Sequence, residues 1–380
     1  MNRIVYADNA ATTRLSDKAF KEMIPFLRDK YGNPSSVYSL GKEARAALRA
    51  AAADVAECLN ADESEIYFTS GGSESDNWAL IGAAELCGGR GHLIVSAVEH
   101  HAILRTAEYL KARGFDVTFV GCDALGRVDP EKIRAEIRDD TFLVSVMTAN
   151  NEVGTIQSVN EIGKIASENK ILFHTDAVQA AGHIGLDVQR MHADMLSLSA
   201  HKFNGPRGCG ALFVRKGIEL PSFIRGGAQQ NAKRAGTENV AGVVGMAAAL
   251  KEAVGEISSE GFRLRMLRDR LVANVLSDIK GVYLTGDAKN RLPGTASFVF
   301  EGIEGASLVM LLDMMGICVS GGSACSSSSQ EPSHVLTAMG FDSKLAAGAL
   351  RVTLGKYNTE DDVDILSAKI PEAVAELRKF

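Results

Sequence analysis

Two segments indicate the fold of this 380-residue chain most clearly: Phe173-His-Thr-Asp-Ala-Val-Gln179 and, further along, Ser199-Ala-His-Lys202. Each follows a short apolar run of the kind that forms a buried strand in a parallel sheet. In open α/β sheets, the residues just past the carboxyl ends of the strands line the ligand-binding crevice. Asp176 and Lys202 are therefore predicted to face one common space.

A carboxylate and a lysine in one crevice indicate a bound cofactor. Pyridoxal phosphate needs a lysine amine for its imine bond. It also needs a carboxylate that keeps the pyridine nitrogen protonated, so that the ring can withdraw electrons from the substrate. For an isolated aspartate and lysine, the alternative interpretation is an ordinary ion pair at the strand ends. The rest of the sequence decides between the two.

The chain on either side of this stretch alternates between short apolar runs and helical patterns. The apolar runs begin at Ile66-Tyr-Phe-Thr69 and continue to residues 210–214. They predict about seven strands joined by helical crossovers, the pattern of a mixed, mostly parallel sheet with helices on both faces. The expected fold class is therefore α/β.

The pattern changes after a long helix that is predicted from near Glu238 to about Ile257. Shorter strands and helices follow, as expected for a separate, smaller α/β domain. We predict a large domain over residues 15–257. Residues 1–14 and 258–380 form the predicted small domain.

The composition is that of an ordinary globular protein, with a formal net charge of -6 and a pI near 5.8. This mild acidity, and the lack of a basic run interleaved with aromatic residues, argue against nucleic acid as a partner. Asp8 lies where a signal peptide would need an apolar core, and no apolar segment is long enough to span a bilayer. We therefore predict a cytoplasmic protein without a membrane partner.

The cysteines, at positions 58, 87, 122, 209, 318 and 325, include no CxxC pair. They fit a reducing compartment and offer no zinc or cluster framework, so no metal site is predicted. Cys325 has an unusual setting, the run Ser320-Gly-Gly-Ser-Ala-Cys-Ser-Ser-Ser-Ser329. So many small and polar residues predict a loop at about 320–330 rather than part of a core.

A glycine-rich turn, Thr69-Ser-Gly-Gly-Ser-Glu-Ser75, lies between a predicted strand and a predicted helix. Its backbone N–H groups and the positive end of the helix would hold a phosphate, and Ser73 would add a hydroxyl while acting as the N-cap. The turn matches neither the P-loop nor the GxGxxG nucleotide fingerprint. Taken alone, it would be an ordinary helix cap.

Two further polar residues follow predicted strands. A neutral imidazole at His100 could stack on a flat cofactor and transfer protons. The amide of Asn151 would bind a ligand oxygen or close the turn. With the groups above, these positions predict one site made of a phosphate cup, a stacking ring, an amide, a carboxylate and a lysine.

Ordered motifs extend over nearly the whole chain: Asp8-Asn-Ala-Ala-Thr-Thr13, Gly32-Asn-Pro-Ser-Ser36, Thr69-Ser-Gly-Gly-Ser-Glu-Ser-Asp76, Glu99-His100, Asn150-Asn-Glu-Val-Gly154, His174-Thr-Asp-Ala-Val-Gln179, Ser199-Ala-His-Lys202, Arg234-Ala-Gly-Thr237 and Ser323-Ala-Cys325. This set resembles the pyridoxal-phosphate-dependent cysteine desulfurases of fold type I, in the NifS and IscS branch with a long cysteine loop. The resemblance implies a large domain, whose mostly parallel seven-stranded sheet is covered by helices, and a smaller α/β C-terminal domain.

The resemblance also implies a role for each site residue. Lys202 forms the imine bond to pyridoxal 5′-phosphate, Asp176 pairs with its pyridine nitrogen, and His100 stacks on the ring and takes part in proton transfer. The remaining ligands are Gly72, Ser73, Ser199 and His201 at the phosphate, and Gln179 and Asn151 on the ring hydroxyl side. Thr237 of the partner subunit completes the phosphate cup, which implies a homodimer.

The same resemblance supplies the reaction. Arg351 and Asn151 bind the substrate, and the planar guanidinium of Arg351 can hold a carboxylate through two parallel charge-assisted hydrogen bonds. Cys325 matches the nucleophile, whose thiolate attacks the sulfur of cofactor-bound L-cysteine, keeps it as a persulfide and releases L-alanine. The small domain is expected to carry this cysteine loop. A sulfur-acceptor protein, such as an iron–sulfur cluster scaffold, is implied as a partner.

Other functions share part of this site. A fold-type-I aminotransferase or a selenocysteine lyase would use the same lysine, aspartate and phosphate cup, but an aminotransferase would need no cysteine loop. A sulfur-carrier or regulatory protein could bind the cofactor without turnover. A nicotinamide-dependent oxidoreductase lacks support because the dinucleotide fingerprint is missing.

Overall fold

A computed structural model describes residues 3–321 and 332–379, so Cys325 and most of its predicted loop lie outside the described residues. The first elements are β1 (Val5–Tyr6), α1 (Asp17–Arg28), α2 (Ser39–Leu59), β2 (Ile66–Thr69), α3 (Gly72–Leu86), β3 (His92–Ser96), α4 (His101–Ala112), β4 (Asp116–Val120), α5 (Pro130–Glu136), β5 (Thr141–Ser145), α6 (Val159–Glu168), β6 (Leu172–Asp176), β7 (Met195–Ser199) and β8 (Gly210–Val214). After them come α7 (Val240–Asp278), β9 (Val282–Leu284), β10 (Thr295–Phe300), α8 (Gly305–Met314), β11 (Ile317–Cys318), α9 (His334–Ala338), α10 (Ser343–Ala347), β12 (Ala349–Thr353) and α11 (Glu360–Leu377).

The large sheet contains seven strands in the order β2-β8-β7-β6-β5-β3-β4. The strands from β7 to β4 pair in parallel, whereas β8 is antiparallel to both of its neighbours. Strands β3 and β7 are buried along their whole length, as their apolar sequences require when helices cover both faces. The predicted α/β fold with a mostly parallel seven-stranded sheet is confirmed.

A second sheet has three antiparallel strands in the order β12-β10-β9, and β1 pairs in parallel with β11. These strands share an apolar core with α8, α11 and the second half of α7. The large sheet has its own apolar cores. We retain the two-domain division, 15–257 against 1–14 with 258–380, as a proposal.

The helix predicted to end near Ile257 instead continues to Asp278, so that part of the prediction is wrong. Ser258-Ser-Glu-Gly261 looks like a helix end in sequence, because glycine inside a helix costs about 1 kcal/mol relative to alanine. Helical spacing nevertheless resumes through Leu264, Leu267 and Leu271, which enter the second core. Helix α7 therefore connects the cores of the two sheets without a break. None of the helices within the described ranges has the length and apolarity needed to span a membrane.

Candidate active site

A cavity of about 510 Å³ opens at the carboxyl ends of the parallel strands. It brings together most of the residues predicted from the sequence: Gly72, Ser73, His100, Asn151, Asp176, Gln179, Ser199, His201, Lys202 and Arg351. Thr237 is exposed and does not line this cavity, and Cys325 lies outside the described residues. The common space expected at the strand ends is therefore present within one chain.

Lys202 and Asp176 lie at the ends of neighbouring parallel strands. Asp176 is the last residue of β6, and Lys202 ends the short 3-10 turn that follows β7. The Lys202 Nζ donates to the carbonyl oxygens of Ala10 at 2.6 Å and Ala11 at 2.9 Å. An N-terminal segment remote in sequence thus orients the amine toward the cavity.

Burial raises the pKa of Asp176 to about 6, although the Val178 N–H and the positive charge of Lys202 act in the opposite direction. The Val178 N–H donates to Asp176 Oδ1 at 2.8 Å. Both opposing interactions favour the carboxylate over the acid. Near neutral pH, Asp176 is consequently an anion that faces the cavity.

The glycine turn begins α3 differently from the prediction. The N-cap is Gly71, and its φ of +156° is an angle that residues other than glycine rarely adopt. The helix begins at Gly72. Ser73 is the second helical residue, so its predicted N-cap role is wrong, although it does line the cavity. A Cβ at Gly72 would lie 2.6 Å from Val178 Cγ2. Two glycines therefore let the turn and the first N–H groups of α3 approach the cavity closely.

His100 is neutral and fixed in one tautomer. It caps α4, where its Nδ1 accepts from the Ala102 N–H at 3.2 Å, so the ring carries its proton on Nε2. Burial, and then the positive charge of Lys202, lower the pKa of His100 to about 4. The ring is thus an uncharged plane at physiological pH, as stacking on a flat ligand requires.

The other ring-side and phosphate-side residues are also anchored from the N-terminal segment. The Gln179 Nε2 donates to the Ala10 carbonyl oxygen at 2.9 Å. His201 Nδ1 lies 3.1 Å from Thr12 Oγ1, and burial lowers the pKa of His201 to about 4. The segment from Ala10 to Thr12 is therefore a wall of the cavity, and its contacts tie it to β6 and β7.

Arg351 approaches the cavity from β12 and is only 2% exposed. Its NH1 donates to the Asn151 carbonyl oxygen at 2.8 Å and its NH2 to Asp8 Oδ1 at 2.9 Å. Its Nε has no hydrogen-bond partner among the described residues. A buried guanidinium with a donor left over suits a carboxylate ligand.

Several site residues carry signals that the sequence analysis did not interpret. Asp8 and Thr12 belong to a recognised motif, but Asp8 contacts Arg351 at a separation of 343 residues and Thr12 contacts His201 at a separation of 189. Asp76 and Glu99 belong to quoted motifs, but no role was predicted for either, and both are buried. His334 was also missed, and its Nε2 donates to the Glu99 carbonyl oxygen at 2.9 Å.

The sheet, the strand-end lysine and aspartate, and the glycine turn define a class of enzyme scaffold, and comparison with known proteins identifies it. The chain belongs to the aminotransferase class-V family, whose family model matches residues 5–366.

Within that family, similar curated proteins are named cysteine desulfurases. The chain is 49% identical over 380 residues to cysteine desulfurase IscS of Methanosarcina thermophila, covering all of this chain and 94% of that protein. Among solved structures, a NifS-like protein superposes with a TM-score of 0.93 at 42% identity, over 99% of this chain and 100% of the other. A structure titled SspA in complex with cysteine has a TM-score of 0.82 at 34% identity, over 93% of this chain and 100% of the other. The predicted family, fold and enzyme class are confirmed.

Proposed function

We propose that this chain is a pyridoxal-phosphate-dependent cysteine desulfurase that converts L-cysteine to L-alanine and carries the sulfur as a persulfide on Cys325. The observation that carries the proposal is the convergence of Lys202, Asp176 and Arg351 on one cavity. An amine, a buried carboxylate and a buried guanidinium are the groups needed for an imine, a pyridinium partner and a carboxylate clamp. The relatives named cysteine desulfurase support this choice of reaction.

The residues present fit pyridoxal phosphate. The N-terminus of α3, with Gly72 and Ser73, supplies N–H and hydroxyl donors for a phosphate, and Ser199 and His201 line the same cavity. Asp176 supplies the negative charge for a pyridinium. Gln179 and Asn151 would hydrogen-bond the ring hydroxyl of the cofactor, and the neutral His100 would stack on the face of its ring. When bound, the cofactor supplies an electron sink for the substrate Cα.

Lys202 has two roles in the proposed reaction. Its amine would hold the cofactor, and the same amine would accept the proton from the substrate Cα. The carbonyl oxygens of Ala10 and Ala11 keep the amine in reach of the cavity. With its Nδ1 engaged by the Ala102 N–H, the neutral His100 presents Nε2–H as a hydrogen-bond donor toward the cavity.

Arg351 orients the substrate. We assign it to the carboxylate of L-cysteine, with Asn151 beside it, because its guanidinium is buried and already held by Asp8. Two fixed contacts restrict the rotation of the guanidinium, which lowers the entropy lost when substrate binds. The solved SspA structure in complex with cysteine, from a chain 34% identical, supports cysteine as the ligand.

The sulfur transfer takes place between two sulfur atoms. The Cys325 thiolate attacks the sulfur of L-cysteine, a new S–S bond forms, and the bond between sulfur and the substrate β-carbon breaks. The electron pair of that bond stays with the carbon and is protonated, so the products are alanine and a persulfide on Cys325. A thiolate is needed for this attack because the thiol is a poor nucleophile.

The assembly and partners belong to the same proposal. Thr237 is exposed and outside the cavity of its own chain, which supports a homodimer in which Thr237 of the partner subunit reaches the phosphate. A sulfur-acceptor protein, such as a cluster scaffold, would take the persulfide sulfur in the cytoplasm.

The experiment that tests this function measures alanine formed from L-cysteine in the presence of a thiol reductant. It compares the unsubstituted protein with Cys325→Ala and with the matched control Cys122→Ala, since Cys122 is a partly buried thiol outside the cavity. We expect alanine from the parent and the control but not from Cys325→Ala, with the yellow cofactor retained in all three. Equal alanine from all three would remove Cys325 as the nucleophile. No alanine from any, with turnover that depends on a keto acid, would identify an aminotransferase.

A further inference from the structure

A buried layer of polar side chains lies between α3 and the large sheet and reaches the cavity at Asp76 and Asp176. It contains three carboxyl groups, from Asp76 on α3, Glu99 after β3 and Asp176 at the end of β6. Asp76 is 1% exposed and Glu99 is fully buried. His174 is also in the layer, because it precedes Asp176 by two residues on the same strand and so lies on the same face.

The hydrogen bonds of this layer are incomplete for charged acids. Glu99 Oε1 accepts from Ser96 Oγ at 2.5 Å and from the Met147 N–H at 2.7 Å. Glu99 Oε2 and Asp76 Oδ1 have no hydrogen-bond partner among the described residues. No arginine in the described part of the chain forms an ion pair with either carboxyl group.

His174 lies next to Asp76 and could carry a compensating charge, but its other contacts argue against that charge. Its Nε2 lies 3.7 Å from Asp76 Oδ1, which is beyond a hydrogen bond. Its ring nitrogens are instead within 2.9 Å of Ser145 Oγ and 3.0 Å of Ser197 Oγ. Burial lowers the pKa of His174 to about 3, so the ring is neutral.

Asp176 differs from the other two acids in its surroundings. It accepts a hydrogen bond from the Val178 N–H and lies in the electrostatic field of Lys202, and both interactions stabilise its carboxylate. Burial and the nearby negative charges raise the pKa of Asp76 well above its ordinary value, and burial raises that of Glu99 to about 8. Of the three carboxyl groups, Asp176 can be ionised at the lowest desolvation cost, so the single negative charge of the layer is expected there.

We propose that Asp76 and Glu99 are positioning residues, kept as neutral carboxylic acids, that leave the negative charge of this layer on Asp176. The titratable groups near them are Asp176 and His174 on β6. Lys202 after β7 and His100 at the start of α4 line the same cavity as Asp76. A second ionised acid would drive a proton onto Asp176. Asp176 could then no longer stabilise a pyridinium, a consequence that rests on the proposed function.

The first test is infrared difference spectroscopy of the holoenzyme at pH 7. The variants are Asp76→Asn and Glu99→Gln, whose amides match a neutral acid in shape, and Asp176→Asn is the matched control. Subtracting Asp76→Asn or Glu99→Gln from the parent should leave the C=O stretch of a protonated carboxylic acid. Subtracting Asp176→Asn should leave carboxylate bands. Carboxylate bands in the Asp76 or Glu99 difference would overturn the proposal.

The second test uses the pH dependence of unfolding. An aspartate that is neutral when folded, but ionises near pH 3.9 when unfolded, takes up a proton on folding. The unfolding constant of the parent relative to Asp76→Asn should therefore rise about tenfold per pH unit above roughly pH 5. A ratio that does not change with pH would contradict the proposal.

A third measurement concerns His174. ¹⁵N NMR of the histidine-labelled parent, with the His174→Asn spectrum to assign the signal, should show a neutral His174 ring at pH 6, which removes the ion-pair partner that lies 3.7 Å from Asp76. An imidazolium signal for His174 would instead establish an ion pair with Asp76 and refute the neutral acid. None of these measurements depends on alanine production, so a failure of the proposed reaction is distinguishable from a failure of this inference.

Discussion

The two sides of the cavity are built in different ways. On the cofactor side, Asp176 and Lys202 come from β6 and β7, which are hydrogen-bonded neighbours in one sheet. On the substrate side, Arg351 comes from the smaller sheet and pairs with Asp8, 343 residues away in sequence. The first arrangement follows from strand register, whereas the second depends on how the N-terminal segment docks.

The docking is itself held by backbone contacts. The Asn9 N–H donates to the Thr353 carbonyl oxygen at 3.2 Å, and the Thr353 N–H donates to the Ala7 carbonyl oxygen at 2.7 Å. The same N-terminal segment supplies Ala10 and Ala11 to Lys202. This short segment therefore couples the two sides of the cavity, since it contacts Lys202 on the cofactor side and Arg351 on the substrate side.

The largest effect is expected on the cofactor side from Lys202→Ala. Removing the amine should abolish both the imine absorption band and alanine formation, a loss of at least about 10⁴-fold, because covalent attachment and proton transfer are lost together. Lys202→Arg is the matched control, since it keeps the positive charge but cannot form an imine. An imine-linked cofactor that persists in Lys202→Ala would refute the assignment.

On the substrate side, Arg351→Gln should lower kcat/KM about 100-fold, because charge-assisted hydrogen bonds to a carboxylate contribute ~3 kcal/mol. The cofactor absorption should be retained, which would show that the two sides are separable. Steady-state kinetics with L-cysteine measures the effect, and Arg127→Gln, at an exposed ion pair, is the control. A bleached cofactor in Arg351→Gln would show that the sides are not independent.

On the cofactor side, His174 is expected to make the free energy of unfolding depend on pH. His174 is neutral in the fold, with a pKa of about 3, whereas an unfolded histidine titrates near 6.5. Its contribution to stability is present above pH 6.5 and is lost as the pH falls, by ~1.4 kcal/mol per pH unit. Between pH 6.5 and 5 the parent should therefore lose ~2 kcal/mol more than His174→Asn.

Urea unfolding at several pH values measures this difference. Only the slopes against pH are compared, because His174→Asn also disturbs the hydrogen bonds to Ser145 and Ser197. Parallel slopes for the two proteins would mean that His174 is charged in the fold.

The smallest effect is expected from Asp8→Asn. The amide oxygen can still accept from Arg351, and the Asn151 carbonyl contact remains, so only the charge of one partner is lost. We expect KM for L-cysteine to rise by about tenfold, or ~1.4 kcal/mol, with kcat unchanged. A fall in kcat at constant KM would instead show that Asp8 affects the chemical step on the cofactor side rather than substrate binding.

The cofactor side could be predicted because its residues follow apolar runs. The run before Asp176 and the run before Lys202 both have the length and composition of buried parallel strands, and parallel strands end at one edge. The start of α3 was only partly predictable, because Ser73 has the side chain preferred at an N-cap. The helix instead begins one residue earlier, with Gly71 as its N-cap.

The sequence by itself determined the α/β class, the positions of the strand-end residues and, through its ordered motifs, the family. These properties depend on local periodicity and on residue order, both of which can be read along one dimension. The tertiary structure alone decided that Asp8 holds Arg351, that Ala10 and Ala11 hold Lys202, and that Asp76 and Glu99 lie in one buried layer with Asp176. Such contacts join residues far apart in the chain, and the protonation of a buried acid depends on every charge and hydrogen bond that packing places around it.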